Sequence, residues 1–214
     1  MTFEANLKKA LELNDKARAF SLTKTFIKDI DTLRTFYEET IPNILNSIDC
    51  QEDDFECVFH EHRISAVVRA LIEMSYDYVL EYKMTLSDPR HVVIACMQNE
   101  THELGAIIGA YLFELYGFNT TYIGADTPLK TLEGAINYAP VDYLVLSVTN
   151  DYNLVTLRKF IFQLRALNKS FKIIGAGRGI VRHQTKVQLD ATITSSQDIE
   201  TLIEKEDLLC SPSK

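Results

Sequence analysis

From Val92 onward, short apolar runs alternate with segments of helical period, and that alternation leaves few folds open to the chain. Strands are expected near 91–97, 119–123, 142–147, 171–175 and 190–193. Helices are expected between and after them, near 104–116, 128–138, 152–167, 179–186 and 197–206. Runs such as Val92-Val93-Ile94-Ala95-Cys96-Met97 and Tyr143-Leu144-Val145-Leu146 are apolar at every position, which suits strands covered on both faces. Strand–helix alternation with right-handed crossovers predicts an α/β fold: a flavodoxin-like, Rossmann-type sheet of five parallel strands with helices on both faces. Such sheets bind ligands beyond the carboxyl ends of their strands.

The first part of the chain reads differently. Residues 1 to 84 contain one proline, Pro42, and no glycine, and their apolar spacing is helical. Leu7, Ala10, Leu11 and Leu13 mark one helix, and Phe20, Leu22, Phe26 and Ile27 a second. Leu33, Phe36, Tyr37, Ile41, Ile44 and Leu45 mark a third. A long fourth helix, starting near Asp53 or Asp54, carries Val58, Ile64, Val67, Val68, Leu71, Met74, Tyr78 and Leu80. These four make a small bundle, expected over residues 1–86. Ser87-Asp88-Pro89-Arg90 is a turn-like break, and the α/β domain is expected over 90–208. The tail Ser211-Pro212-Ser213-Lys214 is expected to fray.

Three strand-end segments carry the candidate chemistry. Glu100-Thr101-His102-Glu103-Leu104-Gly105 follows the first strand, Ser147-Val148-Thr149 the third, and Gly175-Ala176-Gly177 the fourth. Singly each is ordinary, since loop histidines, strand-end serines and glycines in βα turns abound. Together, in this order and context, they resemble the cobalamin-binding domains, whose pattern is Asp/Glu-x-His-x-x-Gly, then Ser-x-Leu/Val/Thr, then a paired-glycine turn. The Glu-first form, with Tyr122-Ile123-Gly124-Ala125-Asp126-Thr127-Pro128-Leu129 after the second strand, is most similar to the adenosylcobalamin-dependent light-sensing regulators. The resemblance is strong over about residues 90–205 and less secure before them.

What the resemblance implies can be stated residue by residue. His102 would ligate cobalt from below, displacing the cofactor's own benzimidazole, and Glu100 would accept a hydrogen bond from the other ring nitrogen. Gly105 would begin a helix packed close to the sheet. Ser147 and Thr149 would line a slot for the displaced tail with hydroxyls, while Gly175 and Gly177 would keep it open. The bundle would cover the upper face of the corrin, with Glu61-His62 matching a Glu-His pair of the family. The family's capping tryptophan falls on Gln51 and its neighbouring histidine on Glu52, and the chain contains no tryptophan. Phe55 or Phe59 is expected to fill that space, and His60 to face solvent.

A net charge of −8 and the lack of any basic run argue against a nucleic-acid surface. Neither a signal peptide nor an apolar stretch long enough for a membrane helix is present, so a cytoplasmic protein is expected. Cys50, Cys57, Cys96 and Cys210 lack the spacing of zinc sites. Cys96 is expected in the core, and Cys50 and Cys57 are expected to stay reduced although a helix start could bring them together. No nucleophile triad or phosphate-binding glycine motif appears in its required context. The expected function is a non-catalytic cobalamin sensor. The bundle is expected to begin near Met1 without a helix-turn-helix module, so output would pass through self-association or a partner protein such as a transcription regulator. The alternative is a methyl-carrier corrinoid protein of a methyltransferase system. Those carriers usually have Asp-Ile-Gly where this chain has Glu103-Leu104-Gly105. A cofactor-free interaction module is a third reading, and retention of His102 argues against it.

Overall fold

The computed structural model describes residues 2–48, 50, 54–167, 169–183 and 187–209. Gln51, Glu52, Asp53, Cys210 and the tail from 211 lie outside the described residues, as does the end of the helix expected over 179–186. The chain divides into two compact units, Met1–Tyr82 and Lys83–Lys214.

The described elements of the first unit are all helices. Helix α1 (Phe3–Glu12) is capped by the Thr2 hydroxyl, and α2 (Lys16–Phe26) by the Asp15 carboxylate. The third expected helix begins as α3 (Ile30–Thr35) behind a reciprocal Asp29–Thr32 capping box. It passes through one π-helical segment, Phe36–Thr40, and ends as α4 (Ile41–Asn46). The fourth runs as α5 (Phe55–Met74), capped by Asp54, and after Ser75 continues as α6 (Tyr76–Tyr82). Buried Leu7, Leu11, Leu33, Phe36, Ile41, Ile44, Val68, Leu71 and Ile72 fill the interior.

The break at Ser75 has a polar cause. Its hydroxyl donates to the Ile72 carbonyl at 2.7 Å and accepts from the Tyr37 hydroxyl at 2.6 Å, within the buried core. Tyr37→Phe removes that donation and leaves the Ser75 bond to Ile72 in place. A loss of about 1 kcal/mol is expected in denaturant unfolding of the full chain followed by circular dichroism.

Cys50 and Cys57 correct an expectation. They form a disulfide, their Cα atoms 5.5 Å apart, because the start of α5 at Phe55 brings Cys57 round in the first turn to face Cys50.

The second unit holds β1 (His91–Met97), β2 (Asn119–Thr127), β3 (Tyr143–Ser147), β4 (Lys172–Ala176) and β5 (Ala191–Ile193). They form one sheet in the order β2-β1-β3-β4-β5 with every pairing parallel, the flavodoxin-like order. Helices α8 (Leu129–Tyr138), α9 (Leu154–Arg165) and α10 (Arg178–Arg182) send Leu132, Ile136, Leu157, Ile161 and Ile180 onto one face, against Val93, Ala95, Leu144, Leu146 and Ile173. Helices α7 (Leu104–Leu115) and α11 (Ser196–Lys205) are joined by the Tyr116 hydroxyl, which donates to Glu200 Oε1 at 2.5 Å. Among the described residues no helix is long and apolar enough to cross a membrane.

Two elements depart from expectation. Strand β2 runs to Thr127 rather than 123, with register shifts against β1 at Ala95 and Met97. Its end is drawn along the first loop by Asp126, whose N–H donates to the Glu100 carbonyl and whose carboxylate accepts from Asn99 N at 2.7 Å. The helix expected from 152 begins at Leu154, behind a single 3-10 turn over Asp151–Asn153.

Candidate functional site

The strand order reverses between β1 and β3, so the loops leaving their carboxyl ends part and frame a crevice. The β1–α7 loop carries Glu100 and His102, and the β3–α9 loop carries Thr149, Asn150 and Asn153. Backbone groups withdrawn from water here need partners, and three N–H groups of the two loops share one carboxylate.

Glu100 is fully buried. Its Oε1 accepts from the His102 ring Nδ1 at 2.7 Å and from the His102 backbone N–H at 3.1 Å. Its Oε2 accepts from Thr149 N and Asn150 N, both at 2.9 Å, and from the Asn153 carboxamide at 3.1 Å. Burial alone would raise the carboxyl pKa. The bonds from the His102 ring, Asn150 N, Asn153 and His102 N outweigh it and hold the group at about 2, so it is ionised. An ionised carboxylate only accepts, which places a proton on His102 Nδ1 and, in the neutral ring, leaves the lone pair on Nε2. The imidazole itself is 56% exposed, against 0% for the carboxylate behind it. A ring nitrogen held by a buried carboxylate is the arrangement found behind metal-binding histidines.

Beneath this pair, Cys96 is buried at the end of β1 and directs its thiol toward the His102 carbonyl at 3.6 Å. Burial, with the charge of Glu100, pushes the thiol up to about 12, so it stays neutral. Tyr122 on β2 donates its hydroxyl to Glu103 Oε2 at 2.9 Å, steadying the residue that precedes α7.

The structure places the remaining sequence candidates less uniformly. Ser147 is buried at the end of β3, in register with Cys96 and Ala176. Thr149 reaches the centre through its backbone N–H. Gly105 is exposed, and a Cβ built there meets no atom within 4 Å. The expected close packing of α7 on the sheet starts one residue later, at buried Ala106. At Gly175 a Cβ would lie 2.5 Å from Leu189 Cδ1 and 2.9 Å from Ile180 Cγ2. At Gly177, where φ is +92°, it would lie 2.5 Å from the Val148 carbonyl oxygen. At both positions the space that a side chain would take is occupied by the chain's own side chains and backbone. Glu61 and His62 lie on α5 of the first unit, Glu61 partly buried and His62 exposed. His60 is exposed beside Glu56 and Arg63.

Sequence reasoning missed Asn153, Asn150 and Asp126 as parts of this centre. Asp126 stood in a quoted segment, but nothing in its local pattern pointed to Asn99. Asn153 had only the ordinary signature of a residue heading a helix.

The fold and site define a flavodoxin-ordered α/β unit with an imidazole–carboxylate pair at its topological switch point, preceded by a helical unit. No family model matches the sequence. Two transcriptional repressors of Myxococcus xanthus are similar in sequence. The HTH-type repressor CarH is 24% identical over 184 residues, 86% of this chain and 60% of that protein. The HTH-type repressor CarA is 31% identical over 90 residues, 42% of this chain and 30% of that protein. The chain thus spans less than two thirds of the length of either curated relative. Among solved structures, the monomethylamine corrinoid protein of Methanosarcina barkeri superposes with a TM-score of 0.73 at 13% identity, covering 94% of this chain and 96% of that one. A cobalamin-binding protein of Desulfitobacterium hafniense gives a TM-score of 0.51 at 15% identity, covering 95% and 98%. The chain shares its fold with these corrinoid and cobalamin-binding proteins.

Proposed function

We propose that this chain binds cobalamin at the carboxyl end of its sheet, with His102 as the lower cobalt ligand, and acts as a sensory or regulatory protein. The observation that carries the reading is the pairing of His102 with a buried, ionised Glu100 at the switch point. Similarity to two transcriptional repressors supports a regulatory role. Among the described residues no three His, Cys, Asp or Glu side chains are grouped to hold a metal ion. A metal at His102 would then take its other ligands from a bound group, as cobalt does from a corrin. When bound, cobalamin would supply a cobalt centre with an exchangeable upper ligand.

The residues have separate tasks. Glu100 fixes the tautomer of His102 and strengthens it as a ligand. Ser147 and Thr149 line the path of the displaced tail, and Leu189 and Ile180, now against Gly175, are the side chains that give way to it. Gly105 leaves room beside the ligand at the start of α7. Output runs through assembly state or a partner protein.

A methyl-carrier role is the second reading, favoured by the superposition on a corrinoid protein over nearly the whole chain. Visible spectra and size-exclusion chromatography with adenosyl-, methyl- and hydroxocobalamin, in the dark and after green light, separate the two. A sensor changes assembly with the upper ligand, whereas a carrier binds all forms in one assembly state.

For the binding itself, electron paramagnetic resonance of the Co(II) form is expected to show nitrogen coupling from the protein. His102→Ala is expected to abolish that coupling and to weaken cobalamin binding by about 10- to 100-fold. Unchanged coupling and affinity in that variant would remove His102 from the cobalt.

A further inference from the structure

Asn153 is the least expected member of the Glu100 cluster, and its chemistry is specific. It occupies the N-cap position of α9, where an asparagine ordinarily accepts a backbone N–H of the first helical turn. Its side chain makes no such capping bond. The residue is 7% exposed, and its carboxamide nitrogen donates instead to Glu100 Oε2 and to the Asn99 carbonyl, both at 3.1 Å. Both acceptors belong to the β1–α7 loop, at the point where Asn99 takes a left-handed turn with φ 68°. The other donors to Oε2 are main-chain groups of the β3–α9 loop. The amide of Asn153 is therefore a side-chain donor that ties the β3–α9 loop to both the main chain and the carboxylate of the β1–α7 loop.

We propose that Asn153 is a positioning residue for the cofactor ligand: its carboxamide holds the Glu100 carboxylate, and through it the His102 imidazole, in the tautomer that leaves Nε2 to bind metal. This rests on the cobalamin-binding reading above. The requirement is for a donor. An aspartate at this position matches asparagine in size and caps helices as well, but it sets a second carboxylate against an ionised one at hydrogen-bond distance.

That opposition makes the test decisive. Asn153→Asp and Asn153→Ala are prepared in the full chain. Long-range proton–nitrogen spectra of the His102 ring are recorded on cofactor-free protein, at a pH where the ring is neutral. Cobalamin affinity is measured by the visible spectral change. The wild-type ring is expected in a single Nδ1–H form, and Asn153→Asp is expected to give mixed tautomers. Affinity is expected to fall in the order wild type, alanine, aspartate, by about tenfold or more at the end of the series.

If Asn153 served only to begin α9, the aspartate variant would be neutral or stabilised, with wild-type ring shifts and affinity, and the proposal would be overturned. Altered ring shifts with unchanged affinity would overturn its link to metal binding. Should the wild-type chain take up no cobalamin, the binding reading fails by itself, and the ring spectra still decide whether Asn153 positions His102.

Discussion

Replacing Glu100 with glutamine is expected to destabilise the chain by about 3 kcal/mol near neutral pH, and to remove much of its sensitivity to acid. Five donated hydrogen bonds end on this one buried carboxylate. A glutamine offers one oxygen and one NH2 group. Whichever way the amide turns, its NH2 faces N–H groups that need an acceptor, and buried unpaired donors are costly.

The acid response follows from the same bonds. The folded state holds the Glu100 carboxyl at about 2, against an ordinary value of 4.5. A group depressed on folding contributes its full stability above the unfolded pKa and loses it as pH falls toward the folded one. The contribution, roughly 3 kcal/mol for a shift of this size, is therefore expected to disappear between about pH 5 and pH 2. Guanidinium unfolding at a series of pH values tests this. The wild-type and Glu100→Gln curves should lie apart at neutrality and draw together in acid. Curves that stay parallel would show that another group governs the acid response.

Gly177→Leu is expected to cost about 3–5 kcal/mol and to disorder the β4 end of the sheet. Gly177 combines a left-handed φ of +92° with backbone contact: an added Cβ would lie 2.5 Å from the Val148 carbonyl oxygen and 2.9 Å from its carbon. Backbone atoms cannot rotate away as a side-chain end can, so β3 and β4 would have to part. Gly105→Ala is the matched control, because nothing lies within 4 Å of its Cβ and the helix has begun. That variant should be as stable as wild type or slightly more so. Thermal unfolding of both variants compares them directly. A Gly177→Leu protein with wild-type stability would mean that the β3 and β4 ends yield easily, as an opening tail slot requires.

The periodic parts of this protein were legible in its sequence. Runs such as 92–97 and 143–146 are apolar at every position because both faces of their strands are covered, and that pattern is a local property. The switch from helical spacing to strand–helix alternation near 87–90 marks where the structure passes from α6 to β1. His102 and Glu100 could be paired in advance because a single residue separates them and one loop holds both.

Tertiary structure alone decided what crosses between loops. Asn153 meets Glu100 across 53 residues, and Gly177 meets Val148, just past the end of β3. The union of Cys50 with Cys57 depended on where α5 begins, and the break at Ser75 on a tyrosine 38 residues away. The physical reason is plainest for the first two, which join loops of the sheet. Hydrophobic period follows from the pitch of a helix or strand and is written in neighbouring residues. A hydrogen bond or close backbone approach between distant segments depends on sheet order, strand register and loop geometry, which exist only once the chain has packed.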